Sequence, residues 1–201
     1  MGSRLVYLVR HGDTEGESSI RYHGRNDVAL SDVGRAQIRR LRPLVRDVSF
    51  AAVLHSPKAR AVESAQILID SLRQDPGLVE AVDGFREIDF GVIEGMTDGE
   101  IRAAMPEWHR AWRAREVDGY PEGDTIAGFE QRVRAALRES LDRHPHGDLL
   151  VVAHRGIVRV ALQSFLPLDD AGAGVRLASL SVLRVGESAE LVSVDQVPDV
   201  D

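Results

Sequence analysis

Apolar residues recur along this chain in two periods, one of strands and one of helices. Leu5-Val6-Tyr7-Leu8-Val9 is an unbroken apolar run that reads as a buried strand, and Arg10-His11-Gly12 follow it directly. A polar stretch from Glu15 to Asp27, holding Arg21, His23, Gly24 and Arg25, is longer than a simple connection needs. Ser31 then caps a predicted helix that runs to about Asp47, with apolar positions at Val33, Ile38, Leu41, Leu44 and Val45. Ala51 to Leu54 reads as a second strand ending in His55-Ser56-Pro57. Ser56 as N-cap and Pro57 at the first helical position predict a helix with Arg60 in its first turn. A strand-like run from Leu78 to Val82 leads into Phe85-Arg86-Glu87-Ile88-Asp89-Phe90-Gly91.

The pattern changes between Gly95 and Gly123. Short helical pieces carry Met105, Trp108 and Trp112, Pro106 starts one of them, and Gly119, Pro121 and Gly123 punctuate the end. This predicts a small helical lobe over the sheet edge. Asp124 is the expected cap of a long helix with Ile126, Phe129, Val133, Leu137 and Leu141 on one face. Leu149 to Ala153 is the clearest buried strand and delivers His154-Arg155-Gly156; a helix from Ile157 to Phe165 follows. Two final strands, Leu177 to Val185 and Leu191 to Val194, form a hairpin around Gly186-Glu187. Strands alternating with helices predict an α/β fold, a largely parallel sheet sandwiched by helices. A single domain over residues 1–201, with the lobe inserted at about 95–123, accommodates the whole pattern.

Composition narrows the function. The chain has 201 residues, 25 basic against 32 acidic, for a formal net charge of −7, so a nucleic acid is not an expected partner. Lys58 is the sole lysine, and the remaining cations are guanidinium groups, which grip phosphate in bidentate fashion. With no cysteine there are no disulfides, thiolate nucleophiles or zinc–thiolate sites. No apolar run approaches membrane-spanning length, and Arg10 interrupts the first apolar run before it could serve as a signal peptide. Met1-Gly2 starts a myristoylation pattern, but Val6 stands where Ser or Thr is required. A cytoplasmic protein is expected.

Two buried-type strands far apart in sequence end in a histidine beside an arginine, in Arg10-His11-Gly12 and His154-Arg155-Gly156. A third strand–helix junction supplies Arg60. In an open α/β sheet, ligands bind beyond the carboxyl ends of the strands. If these strands are neighbours, two imidazoles and at least two guanidinium groups converge on one pocket, an electrostatic clamp for a phosphoryl group. A histidine among such cations is held neutral, so its free nitrogen can attack phosphorus. The leaving alkoxide then needs a proton, and Glu87 and Glu94 are the candidate acids, with Asp89 close by.

At these residues the chain resembles the histidine phosphatase (phosphoglycerate mutase-like) superfamily. The resemblance is carried by Arg10-His11-Gly12 with Thr14, by Ser56-Pro57-Lys58-Ala59-Arg60-Ala61, by Glu87 within Arg-Glu-Ile-Asp-Phe-Gly-Val-Ile-Glu-Gly, and by His154. It spans roughly residues 5 to 185. It implies a three-layer αβα sandwich with one antiparallel strand, His11 as the nucleophile of a phosphohistidine pathway and Glu87 as general acid. It further implies that Arg10, Arg60 and His154 bind the phosphoryl group, with no cofactor and no metal. Thr14, Arg21, Gly24 and Arg155 are the further candidates for substrate binding. The chain departs from the family pattern where an Asn often follows Arg-His-Gly, a place that falls near Glu17 here. It departs again at Arg155, where Gly is usual. A carboxylate at Glu17 would repel phosphate or select a cationic or hydroxylated substrate.

The glycine-punctuated Tyr120-Pro121-Glu122-Gly123-Asp124 and the following Phe129-Glu130-Gln131-Arg132-Val133 resemble the α-ribazole phosphatase and broad small-phosphatase branches. The expected activity is therefore hydrolysis of a small-molecule phosphate ester. A phosphoglycerate mutase, a phosphate-binding regulatory protein without turnover, and a metallohydrolase built on His11, His154 and Glu87 are the competing readings. Trp108 and Trp112, one turn apart, read as lobe core rather than a stacking site for substrate. His144 and His146 read as helix-end solvent residues, and His23, His55 and His109 have no assigned role. An open sheet edge leaves room for a homodimer.

Overall fold

The computed structural model describes residues 3–15, 17, 20–166 and 174–198. Met1 and Gly2, with their myristoylation pattern, lie outside the described residues. Six strands form one sheet: β1 (Arg4–Arg10), β2 (Phe50–His55), β3 (Val79–Ala81), β4 (Asp148–Ala153), β5 (Leu180–Val185) and β6 (Ala189–Gln196), in the order β3-β2-β4-β1-β5-β6. β3, β2, β4 and β1 run parallel, and β5 runs antiparallel to both of its neighbours. Side chains of a strand alternate between faces, so a doubly covered sheet must be apolar on both. β4 shows this directly. Leu149, Val151 and Ala153 join a core with Phe129, Val133 and Leu137 of α5 (Ile126–Arg143) and Val158 and Ala161 of α6 (Arg155–Phe165). Leu150 and Val152 face the other way, into a core with Ile38, Leu41 and Val45 of α1 (Asp32–Val45) and Ala65 and Leu68 of α2 (Ala59–Ile69). The result is the three-layer αβα sandwich, with one antiparallel strand.

Local starts and stops differ from the sequence expectation in instructive ways. Ser31 caps α1 as expected, accepting from the Gly34 amide, but Val33 and Leu44 are exposed. The buried stripe is Gly34, Ile38, Leu41 and Val45, spaced at four, three and four residues, and positions 33 and 44 sit beside it. Ser56 does not cap a helix. α2 starts at Ala59 after Lys58, and the Ala59 amide is met instead by the Asp27 carboxylate at 2.8 Å. Thr125, not Asp124, caps α5 through the Gly128 amide, while Asp124 accepts from the Asp89 amide and pairs with Arg132. The helix expected from Ile157 begins at Arg155, directly after the strand-end histidine.

The lobe over the carboxyl edge consists of α3 (Asp98–Ala104), which starts in a Thr97–Glu100 capping box, and α4 (Pro106–Arg113), with Pro106 in its first turn. Trp108 and Trp112 stack at 5.7 Å, and Trp112 lies 4.7 Å from Tyr120. Edge-to-face contacts continue from Tyr120 to Phe90 at 4.9 Å and from Phe90 to Tyr22 at 5.1 Å. The tryptophans are half-buried against each other and Tyr120, and the aromatic ladder they start carries the lobe down to the sheet edge.

Candidate active site

Strand register brings the two histidines together. In the parallel β1–β4 pair, Val9 is level with Val152 and Arg10 with Ala153, so His11 and His154 leave the sheet side by side. The His11 amide donates to the Ala153 carbonyl at 3.0 Å, and the Ser56 amide to the Val152 carbonyl at 3.0 Å, extending the ladder one step beyond the strands. The imidazole centroids are 5.1 Å apart. Both rings are buried, at 4% and 0% exposure.

His11 Nδ1 lies 2.7 Å from the Gly12 carbonyl. A carbonyl can only accept, so Nδ1 carries the proton and Nε2 keeps its lone pair. Burial above all, then the Arg60 and Arg10 cations, holds His11 well below the usual imidazole range. Burial, Arg60 and His11 do the same for His154. Both rings are therefore neutral near pH 7. His154 Nε2 is 2.8 Å from the Ser56 hydroxyl, which is what the residue read as a helix cap does.

Arg10 and Arg60 approach the imidazoles from the edge. Arg10 donates to the Val175 carbonyl at 2.8 Å, and burial lowers its pKa to about 10, so it stays cationic. Arg60 is fully buried and donates to the carbonyls of Asn26 and His23 at 2.9 Å each and of Gly24 at 3.4 Å. The loop that supplies those carbonyls is held from its other side by Glu94. That carboxylate accepts from the amides of Gly24, Arg25, Asn26 and Phe90 at 2.7–3.2 Å. Buried nitrogens at Nε of Arg10, Nε of Arg60 and Nδ1 of His154 have no hydrogen-bond partner among the described residues. Such donors call for an acceptor, and the oxygens of a phosphoryl group are suitable ones.

A cavity of about 640 Å³ opens beside His11. Arg10, His11, Arg21, Glu87 and Arg155 line it, together with His23, Tyr22, Phe90, Ile20, Thr97, Asp98 and Gly99. Of the candidate acids, Glu87 alone faces this space; it accepts from the Gly156 amide at 3.1 Å and the Ile88 amide at 3.1 Å. Glu94 is committed to the loop, and Asp89 to the Gly91 amide and Arg25. Of the residues expected at the substrate, Thr14 and Gly24 do not line the cavity, and Arg60 and His154 lie behind its lining as well. Thr14 is buried and bridges to Leu30, and Gly24 belongs to the Arg60 loop, where an added Cβ would come within 1.7 Å of the Ile88 carbonyl oxygen. Glu17 is turned to Arg21 at 3.0 Å and is exposed, so it pairs with a cation instead of facing the phosphoryl pocket. His23 and Tyr22 at the cavity have no signal in the sequence beyond their place in a long loop, and Phe90 has only its place in the motif around Glu87. Among the described residues no group of three or more His, Asp or Glu side chains converges to hold a metal ion, and no helix is long and apolar enough to cross a membrane.

An αβα sandwich that sets paired imidazoles beside arginines at its carboxyl edge is the architecture of histidine phosphatases. The family model of the histidine phosphatase superfamily, branch 1, matches residues 6–195, and the chain belongs to that family. It is 34% identical over 187 residues to a bifunctional protein of Mycobacterium tuberculosis; the match covers 90% of this chain but 50% of that one, so the chain spans about half the length of such relatives. A probable phosphoglycerate mutase of Erwinia tasmaniensis is 31% identical over 186 residues, covering 90% of this chain and 83% of the relative. Among solved structures, a putative α-ribazole-5′-phosphate phosphatase from Escherichia coli superposes over 100% of both chains with a TM-score of 0.84 at 23% identity, a likeness of fold.

Proposed function

We propose that this protein is a metal-independent phosphomonoesterase acting on a small phosphorylated metabolite through a phosphohistidine on His11. One observation carries the reading: His11 stands with Nδ1 fixed on a backbone carbonyl, its ring neutral, beside His154, the buried Arg60 and the half-buried Arg10. In the first step the Nε2 lone pair forms a bond to phosphorus while the bond from phosphorus to the ester oxygen breaks. Arg10, Arg60 and His154 balance the charge on the equatorial oxygens, and Glu87 gives its proton to the departing alkoxide. In the second step Glu87, now a carboxylate, takes a proton from water, whose oxygen displaces His11 and releases inorganic phosphate. The donors around the pocket suit an anion, because guanidinium groups beside both imidazoles would repel a metal cation.

The test is release of phosphate from 4-nitrophenyl phosphate and from a panel of phosphorylated metabolites. Turnover that persists in EDTA and is blocked by vanadate is expected. Activity lost to EDTA and restored by zinc would replace this mechanism with a metal-dependent one. The mutase-named relative motivates a second arm with 3-phosphoglycerate: 2-phosphoglycerate formed faster than free phosphate would make the protein a mutase.

A further inference from the structure

The cavity holds more guanidinium than the phosphoryl site uses, and its cations differ in how they are occupied. Arg21 is taken by Glu17 at 3.0 Å, Glu100 at 2.9 Å and the Gly95 carbonyl at 2.8 Å. Arg155, the first residue of α6, lines the same space with an exposed side chain and makes no hydrogen bond or ion pair among the described residues. The carboxylates of that wall are occupied: Asp98 binds His109 at 2.8 Å, and Glu87 binds the Ile88 and Gly156 amides. The charge of Arg155 bears on Arg10 and on Tyr22, whereas the cations bearing most strongly on His11 are Arg60 and Arg10. The unpaired guanidinium thus lines the same cavity as His11, Tyr22 and Glu87, the space open to the rest of an ester whose phosphoryl group is at His11.

We propose that Arg155 is a specificity-determining residue that binds a carboxylate on the leaving-group part of the substrate, so that the preferred substrates are phosphate esters of carboxylate-bearing alcohols. This deepens the phosphomonoesterase reading and rests on it. A guanidinium fork receives a carboxylate through two parallel hydrogen bonds, which fixes orientation as well as charge. One unpaired cation in a cavity that also holds the Asp98 carboxylate suits a single negative charge better than a second phosphate, whose two charges would meet that carboxylate.

Two non-hydrolysable ligands that differ only in charge test this: 4-carboxybenzylphosphonate and its neutral 4-carbamoyl counterpart, titrated calorimetrically into the full chain. The wild type should bind the carboxylate about tenfold more tightly than the amide, Arg155→Gln should erase that ratio, and Arg155→Lys should keep part of it. Equal affinities in the wild type, no affinity for either ligand, or an undiminished ratio in Arg155→Gln overturns the proposal. Hydrolysis of 4-carboxyphenyl and 4-carbamoylphenyl phosphate is measured alongside. Failure to hydrolyse either ester while the binding ratio persists would sink the phosphatase reading and support the carboxylate site. Hydrolysis of both without a binding preference would sink the carboxylate site alone.

Discussion

Glu94 reaches the Gly24 amide with both of its carboxylate oxygens, at 3.1 Å each. The loop is thereby an adaptor, its amides turned to Glu94 and its carbonyls to Arg60. Glu94→Gln exchanges one acceptor for a donor facing N–H groups. We expect a loss of about 1–3 kcal/mol in stability from the donors left unpaired. We also expect weaker inhibition by inorganic phosphate, because Arg60 loses its mooring. Urea unfolding and phosphate inhibition constants check both; unchanged inhibition would separate the loop from Arg60.

Glu87 depends on Gly156 in a similar way. A Cβ at Gly156 would stand 2.4 Å from Glu87 Oε1 and 2.8 Å from the Phe129 ring. Gly156→Ala gains helix propensity of about 1 kcal/mol and loses about 1–3 kcal/mol to overpacking, so stability should fall by no more than about 2 kcal/mol. Turnover should fall at least about tenfold, since the displaced carboxyl no longer reaches the leaving oxygen. Steady-state kinetics beside thermal melts distinguish the two effects, and wild-type kcat in this variant would remove Glu87 as the acid.

His11→Ala should leave the fold intact and lower kcat by at least about a thousandfold, the usual scale for loss of a nucleophile. Acid-labile phosphate incorporated into wild-type protein during turnover should be absent from the variant. Residual activity within tenfold of wild type would exclude a phosphohistidine on this residue.

Stability should depend on pH through the same imidazoles. His11 and His154 titrate well below the usual range in the folded protein and near 6.5 when unfolded. Between those values the unfolded chain binds more protons, so this stability is complete above about pH 6.5 and is lost as pH falls toward the folded values. The slope reaches at most about 1.4 kcal/mol per pH unit for each histidine. Urea midpoints at pH 7.5, 6.5 and 5.5 should decline in that order, and His154→Gln should flatten the decline. Asp98, held low by His109, and Glu100, held low by the Thr97 amide, act in the same direction, but only from the range where free carboxylates begin to titrate downward.

Much of this arrangement was legible because strand residues declare themselves. The apolar runs ending at Val9 and Ala153 located both strand-end histidines, and alternation of strands with helices gave the sandwich. What could not be read depends on contacts distant in sequence. Ser56 followed by Pro57 carries the chemistry of a helix start, yet its hydroxyl is claimed by His154, 98 residues away. Asp124 and Thr125 are both good capping residues, and the Asp89 amide decides between them by engaging Asp124. Glu94 and Glu87 share one short motif and the same charge. Only folding shows that one faces a set of loop amides and the other the cavity.

Because β1 pairs with β4, His11 and its neighbouring imidazole come from segments far apart along the chain. A nascent polypeptide emerging from the ribosome has made His11, Arg10 and Arg60 long before Leu149 to Ala153 exist to lie beside them. Parallel pairing over such a span is slow to form, and it completes only after β4 has been synthesised. The His11 ring therefore lacks its neighbouring imidazole until β4 has been made, and any fragment ending before Asp148 carries His11 without His154 beside it.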